Sequence, residues 1–150
     1  MTRVRILLCV LLAITPTLGV SADELPWVFN APRAEGYSIS LLSVSPAPGT
    51  PLVAGSSLKF AVAVSYTLTI AKHGVIVLVF QDETNASAAP GRPQVHHEVS
   101  DSAGVASLAE QLTVPSTAKE LRVFIPLVPD GLVNTSGELT IRYPITGAPQ

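Results

Sequence analysis

Cysteine is almost missing from this sequence: Cys9 is the only one in 150 residues, so no intramolecular disulfide forms. Charge is sparse too, at 13% of residues with a net of −2, and no basic stripe runs through the chain. Without phosphate-neutralising charge, nucleic acid is not an expected partner, and anionic lipid offers little attraction. Aromatic residues are few, with one Trp, three Tyr and four Phe. No apolar run approaches the roughly 20 residues that cross a bilayer core as a helix. Familiar catalytic patterns are also lacking. There is no Gly-x-Ser-x-Gly elbow and no spaced Asp-x-Asp-x-Asp-Gly calcium loop. Neither a cofactor nor an enzymatic activity is expected.

What is present begins with an export signal. Arg3 and Arg5 precede a compact apolar run, residues 6–14, and a polar stretch containing Pro16 and Gly19 leads to Val20-Ser21-Ala22. Charged, apolar and small-residue regions in that order predict a signal peptide over residues 1–22, cut before Asp23. Cys9 lies inside the apolar region, which argues against lipid attachment. Export would deliver the chain to the periplasm or the extracellular medium, with no membrane insertion after cleavage. The expected mature chain of 128 residues keeps 7 basic against 11 acidic side chains, a net of −4. It has lost its only cysteine, so its stability must come from packing. That length suits one domain.

Residues 23–36 contain Pro26, Pro32 and Gly36 and read as an extended leader without regular structure. Beyond it, β-branched and aliphatic stretches alternate with turn clusters. A strand is expected over 37–45. The next, 57–70, alternates Phe60, Val62, Val64, Tyr66, Leu68 and Ile70 with small or hydroxylated residues, the period of two that separates the faces of a strand. Ala71-Lys72-His73-Gly74 reads as a short connection with Gly74 free to take a positive φ, which predicts a hairpin to the following run, 75–80. That run is apolar at every position. Such a strand is either covered on both faces or offers an apolar stripe to a partner. Residues 83–93 form the longest loop, 94–100 a short polar edge strand, and 105–114 a strand in which Ala106, Leu108, Leu112 and Val114 share a face interrupted by Glu110. A helix over 107–112 is the alternative there, disfavoured because Thr113, Val114 and Pro115 close the segment as extended chain. Residues 119–128 give another strand, with Pro126 pointing to an edge or bulged position. After the Pro129-Asp130-Gly131 turn, 136–145 supplies the last strand, and 147–150 a frayed tail. Seven strands without room for crossover helices predict an all-β, immunoglobulin-like antiparallel sandwich over residues 37–146.

The run from Gly55 through Phe60 to Tyr66, then Ile76-Val77-Leu78-Val79-Phe80, then Gly104-Val105-Ala106-Ser107-Leu108 resembles bacterial immunoglobulin-like modules of the adhesion-related (CARDB-like) kind. The likeness extends over residues 42–145 and consists of strand patterning and turn glycines. It implies a structural or recognition module that binds a protein or cell-envelope partner, and it supplies no catalytic residues.

Candidate site residues are few. Trp27 and Phe29 in the leader are the main interaction hint: either the leader folds back and buries them, or it adds as a strand to a partner's sheet in an extracellular assembly. His96 and His97, with Glu98, Asp101 and Asp82 nearby in sequence, are the only residues on which a metal-dependent or carbohydrate-active enzyme would be centred. Neighbours on a strand point to opposite faces, so the two imidazoles would not converge. Asp82-Glu83 and Asp101-Ser102 read as solvated turn acids. Asn85 and Asn134 head Asn-x-Ser patterns, glycan acceptors in a eukaryotic secretory pathway.

Overall fold

The computed structural model describes residues 26–32, 35–132 and 137–147. The expected signal peptide with Cys9, the acceptor Asn134 and residues 148–150 of the tail lie outside the described residues. Nine strands are present among the described residues, and none of these residues is helical: β1 (Val28–Pro32), β2 (Tyr37–Ser45), β3 (Leu52–Val53), β4 (Ser57–Leu68), β5 (Gly74–Asp82), β6 (Val95–Val99), β7 (Ala103–Thr113), β8 (Glu120–Pro129) and β9 (Gly137–Thr146). They form a three-stranded sheet ordered β2-β4-β7 and a six-stranded sheet ordered β1-β9-β8-β5-β6, with β3 running parallel to the end of β9. The two sheets face one another in the Greek-key order of an immunoglobulin-like sandwich.

Alternation decides which residues fill the space between the sheets. Leu58, Phe60, Val62, Val64, Tyr66 and Leu68 of β4 are buried against Leu121, Val123, Ile125 and Leu127 of β8 and Leu139, Ile141 and Tyr143 of β9. Phe60 anchors this core. Its ring meets Phe80 edge-on at 5.6 Å and Tyr143 at 6.2 Å, the arrangement that the aromatic quadrupole favours. The Tyr143 hydroxyl donates to the Pro46 carbonyl at 2.8 Å, and burial pushes its pKa up.

Four expectations need correction. First, β4 and β5 are not a hairpin: β5 pairs with β6 and β8 in the opposite sheet. Both strands present a row of large side chains to one core, and Phe60 meets Phe80 across it only if the two strands sit in facing sheets. Gly74 is needed for close approach instead of positive φ, since a Cβ there would lie 2.9 Å from the Val128 carbonyl oxygen. Second, β4 ends at Leu68, and Ile70 turns out to solvent. Third, Pro126 sits in a central strand. Its pairing with Glu138 of β9 is kept, while the β5–β8 ladder passes from Ile76↔Leu127 to Val79↔Phe124 without a change of register; the missing N–H is absorbed by a gap in that ladder. Fourth, residues 28–32 of the leader form a strand, β1, where no regular structure was expected.

Segment 103–113 is strand throughout. β6 lies at the sheet edge, as its polarity led us to expect.

Candidate functional site

The leader is fastened to the sandwich at three points. Val28–Pro32 pairs antiparallel with Gly137 to Ile141 of β9. Asn30 Nδ2 donates to the Ile39 carbonyl at 2.7 Å, which ties β1 to β2 of the opposite sheet. Trp27 lies over Gly49, so closely that a Cβ on that glycine would stand 2.9 Å from the indole. Gly49 also has φ +75, a conformation that side chains disfavour. Trp27 and Phe29 remain 42% and 49% exposed. The leader thus occupies an edge of its own sheet, and its aromatics are neither sealed in the core nor carried on a free arm.

Placing β1 beside β9 builds a site on the outer face of the six-stranded sheet. Phe29 is opposite Thr140, Thr140 opposite Phe124, and Phe124 opposite Val79, one row across four strands. In the adjacent row Gln81 is opposite Arg122 and Arg122 opposite Arg142. Directly opposed like charges destabilise a sheet. Here Glu120, two residues before Arg122 on the same face of β8, accepts from Arg122 Nε at 2.6 Å and from Arg142 Nη2. Burial alone would raise the Glu120 pKa, but the bonds from Arg142 and Arg122 outweigh it and hold the carboxyl below its usual range.

A rigid turn closes one end of this row. Asp82 Oδ1 accepts from Thr84 N at 2.8 Å, Thr84 Oγ1 at 2.6 Å and Ala86 N at 3.0 Å, and the Thr84 hydroxyl bond leads in lowering the Asp82 pKa. Within the turn Asn85 adopts φ 66, tolerable for Asn, and its Oδ1 accepts from Arg122 Nη1 at 3.1 Å. Glu83 Oε2 accepts from the backbone N–H groups of Lys119 and Glu120, which pins the turn to the start of β8.

Between the leader and this turn is a cleft of about 450 Å³, walled by Phe29, Phe124, Gln81, Asn85, Arg122 and Arg142 and completed by Pro26, Glu138 and Thr140. Its size falls within the range of small-ligand sites, and apolar walls with a few fixed polar groups are their usual make-up. An apolar stripe continues from it across the same face: Val75, Val77 and Val79 of β5 are half-buried, and Val128 pairs with Val75. The apolar run 75–80 of β5 therefore gives one set of side chains to the core and the other to this surface.

The histidines lie elsewhere. His97 pairs with Ile76 and His96 with Val77, positions on opposite faces of the edge strand, and both are exposed. Among the described residues no group of three or more His, Cys, Asp or Glu is placed to hold a metal ion. Asp82 is a turn acid whose donors come from its own loop. Of the sequence candidates, Phe29 and Asn85 wall the cleft, with Trp27 over Gly49. Arg122, Arg142, Phe124 and Gln81 were not singled out. The signal for the first of them was Glu120 and Arg122, charges at alternate positions in a strand whose other face is wholly apolar.

No protein-family model matches the chain, and neither a curated protein nor a solved structure does.

Proposed function

We propose that the chain is an exported, secreted or periplasmic, non-enzymatic binding module of the adhesion-related immunoglobulin-like kind, which recognises a protein or cell-envelope partner through the outer face of its six-stranded sheet. The observation that carries the reading is the prearranged cleft between Phe29 and Phe124, continuous with the Val75-Val77-Val79 stripe. Arg122 is held there by two partners from different elements, so recognition loses little side-chain entropy. Glu120, held below the ordinary carboxylate range, stays ionised at neutral pH and keeps both guanidiniums in place.

The test is affinity capture from native envelope and secreted fractions with the wild-type chain and a Phe29→Ser/Phe124→Ser variant. A partner kept by the wild type and lost by the variant is the expected result. Equal capture by both, or capture by neither, contradicts the reading.

A second reading, assembly through the leader, draws on the β1–β9 pairing itself. Exchange of β1 between two copies would reproduce the same five-residue register in trans. Light scattering on the wild type and on a chain lacking residues 23–32 decides it: oligomers that disappear with the leader support exchange, and a wild-type monomer rules it out.

A further inference from the structure

We infer that the cleft between Phe29 and Phe124 is a subsite for a neutral sugar residue of a glycan chain. The inference rests on the reading of this face as the recognition surface and names the class of ligand.

Three properties of the cleft lead there. Phe29 and Phe124 flank Thr140 on adjacent strands of one row, so their backbones stand two interstrand spacings apart, roughly 10 Å. A flat ring has room between them. A pyranose has a face lined by C–H groups and a rim of hydroxyls; the first is covered by aromatic rings and the second is satisfied by planar amide and guanidinium groups, which present paired donors and acceptors to neighbouring hydroxyls. The cleft holds both kinds of group, with Arg122 opposite Gln81 and bonded to Asn85.

Charge then selects among sugars. Glu120 bonds to both Arg122 and Arg142 and Glu138 lines the same cleft, so two positive and two negative side chains balance. An acidic polysaccharide, a phosphate or a sulfate would find both guanidiniums bonded to Glu120, and the expected mature chain is itself net negative. A neutral polyol needs hydrogen bonds and an apolar platform but no net charge. Half of that platform comes from the leader, whose Pro26 and Phe29 wall the cleft only while β1 is docked on β9.

The experiment is a glycan array carrying neutral oligosaccharides (gluco-, chito-, xylo- and manno-series) beside anionic heparin and polygalacturonate, followed by calorimetric titration of the best neutral ligand. Wild type, Phe29→Ala, Gln81→Ala and, as a control on the β6 edge, His97→Ala are compared. We expect a neutral series to be retained, affinity to fall at least tenfold in Phe29→Ala and in Gln81→Ala, and both His97→Ala and a rise in salt to change it less than twofold. Gln81→Ala keeps the test valid if Phe29→Ala loosens the leader. The inference is overturned if no neutral glycan binds, if the two cleft variants bind as the wild type does, or if only the anionic polymers bind in a salt-sensitive way. Should sugars fail while Phe29- and Phe124-dependent capture of a protein persists, the sugar assignment alone falls; should both fail, the reading of the face falls with it.

Discussion

Arg122 of β8 stands directly opposite Arg142 of β9, and Glu120 bonds to both. Two guanidiniums in cross-strand register are held with that carboxylate bonded to both, its side chain 13% exposed. The arrangement holds the polar side of the cleft in place through one shared carboxylate.

Replacing that acid should therefore be costly. Glu120→Gln keeps the shape but removes the charge, leaving Arg122 and Arg142 opposed. The site lies between an exposed pair, worth up to about 1 kcal/mol, and a buried one, where breaking the pair costs about 3–5 kcal/mol. A loss of about 2 kcal/mol in urea unfolding at pH 7 is expected, with a smaller loss for Arg122→Gln, which relieves the repulsion as it breaks the pair.

The same carboxyl sets an acid limit. Its folded pKa is lowered from an ordinary 4.5, so its contribution is fully present above the unfolded value and lost as pH falls through the folded one. Asp82, lowered from 3.8, acts in the same direction. Stability measured against pH should fall below about 4.5 in the wild type and fall less steeply in Glu120→Gln.

With no cysteine among the described residues, the Phe60 cluster takes the place a disulfide would hold between sheets. Phe60→Ala removes a fully buried ring that touches Phe80 and Tyr143, and large-to-small changes of this kind cost about 3–5 kcal/mol. Phe60→Leu should cost markedly less. Thermal unfolding of the two variants checks the order.

The single tryptophan reports on the leader. Trp27 rests on Gly49, so Gly49→Val must both displace the indole and force a side chain into a positive φ, a strain on the order of 1–3 kcal/mol. Faster quenching of Trp27 fluorescence by acrylamide in Gly49→Val is expected. Asn30→Ala, which loses the bond to the Ile39 carbonyl, should shift quenching the same way and cost about 1 kcal/mol.

Much of the sandwich was legible in the sequence. The bounds of β2 follow from the alternation over 37–41 and the proline-rich turn after Ser45, and the inward face of β4 as far as Leu68 from alternation, because period two separates the faces of a strand whatever it pairs with. Pairing itself is a long-range property. Nothing near Gly74 tells whether β5 lies beside β4 or across the core from it; the matching of Phe60 with Phe80 decides, and that is visible only in three dimensions. β1 was hidden between Pro26 and Pro32, and β3, two residues long, has no period to read. Phe29 could be marked as a candidate from its aromatic character, yet the cleft it walls depends on register. Arg122, Arg142 and Gln81 are far apart in sequence and meet only through the ladders of β5, β8 and β9.

Hydrogen exchange on the wild-type chain, with and without the native envelope and secreted fractions used for capture, tests the central claim most directly. The account predicts slowed exchange at residues 28–32, 79–86, 120–124 and 138–142, with β2, β4 and β7 unchanged. Protection confined to the β2-β4-β7 sheet, or to the β6 edge that carries His96 and His97, would contradict it.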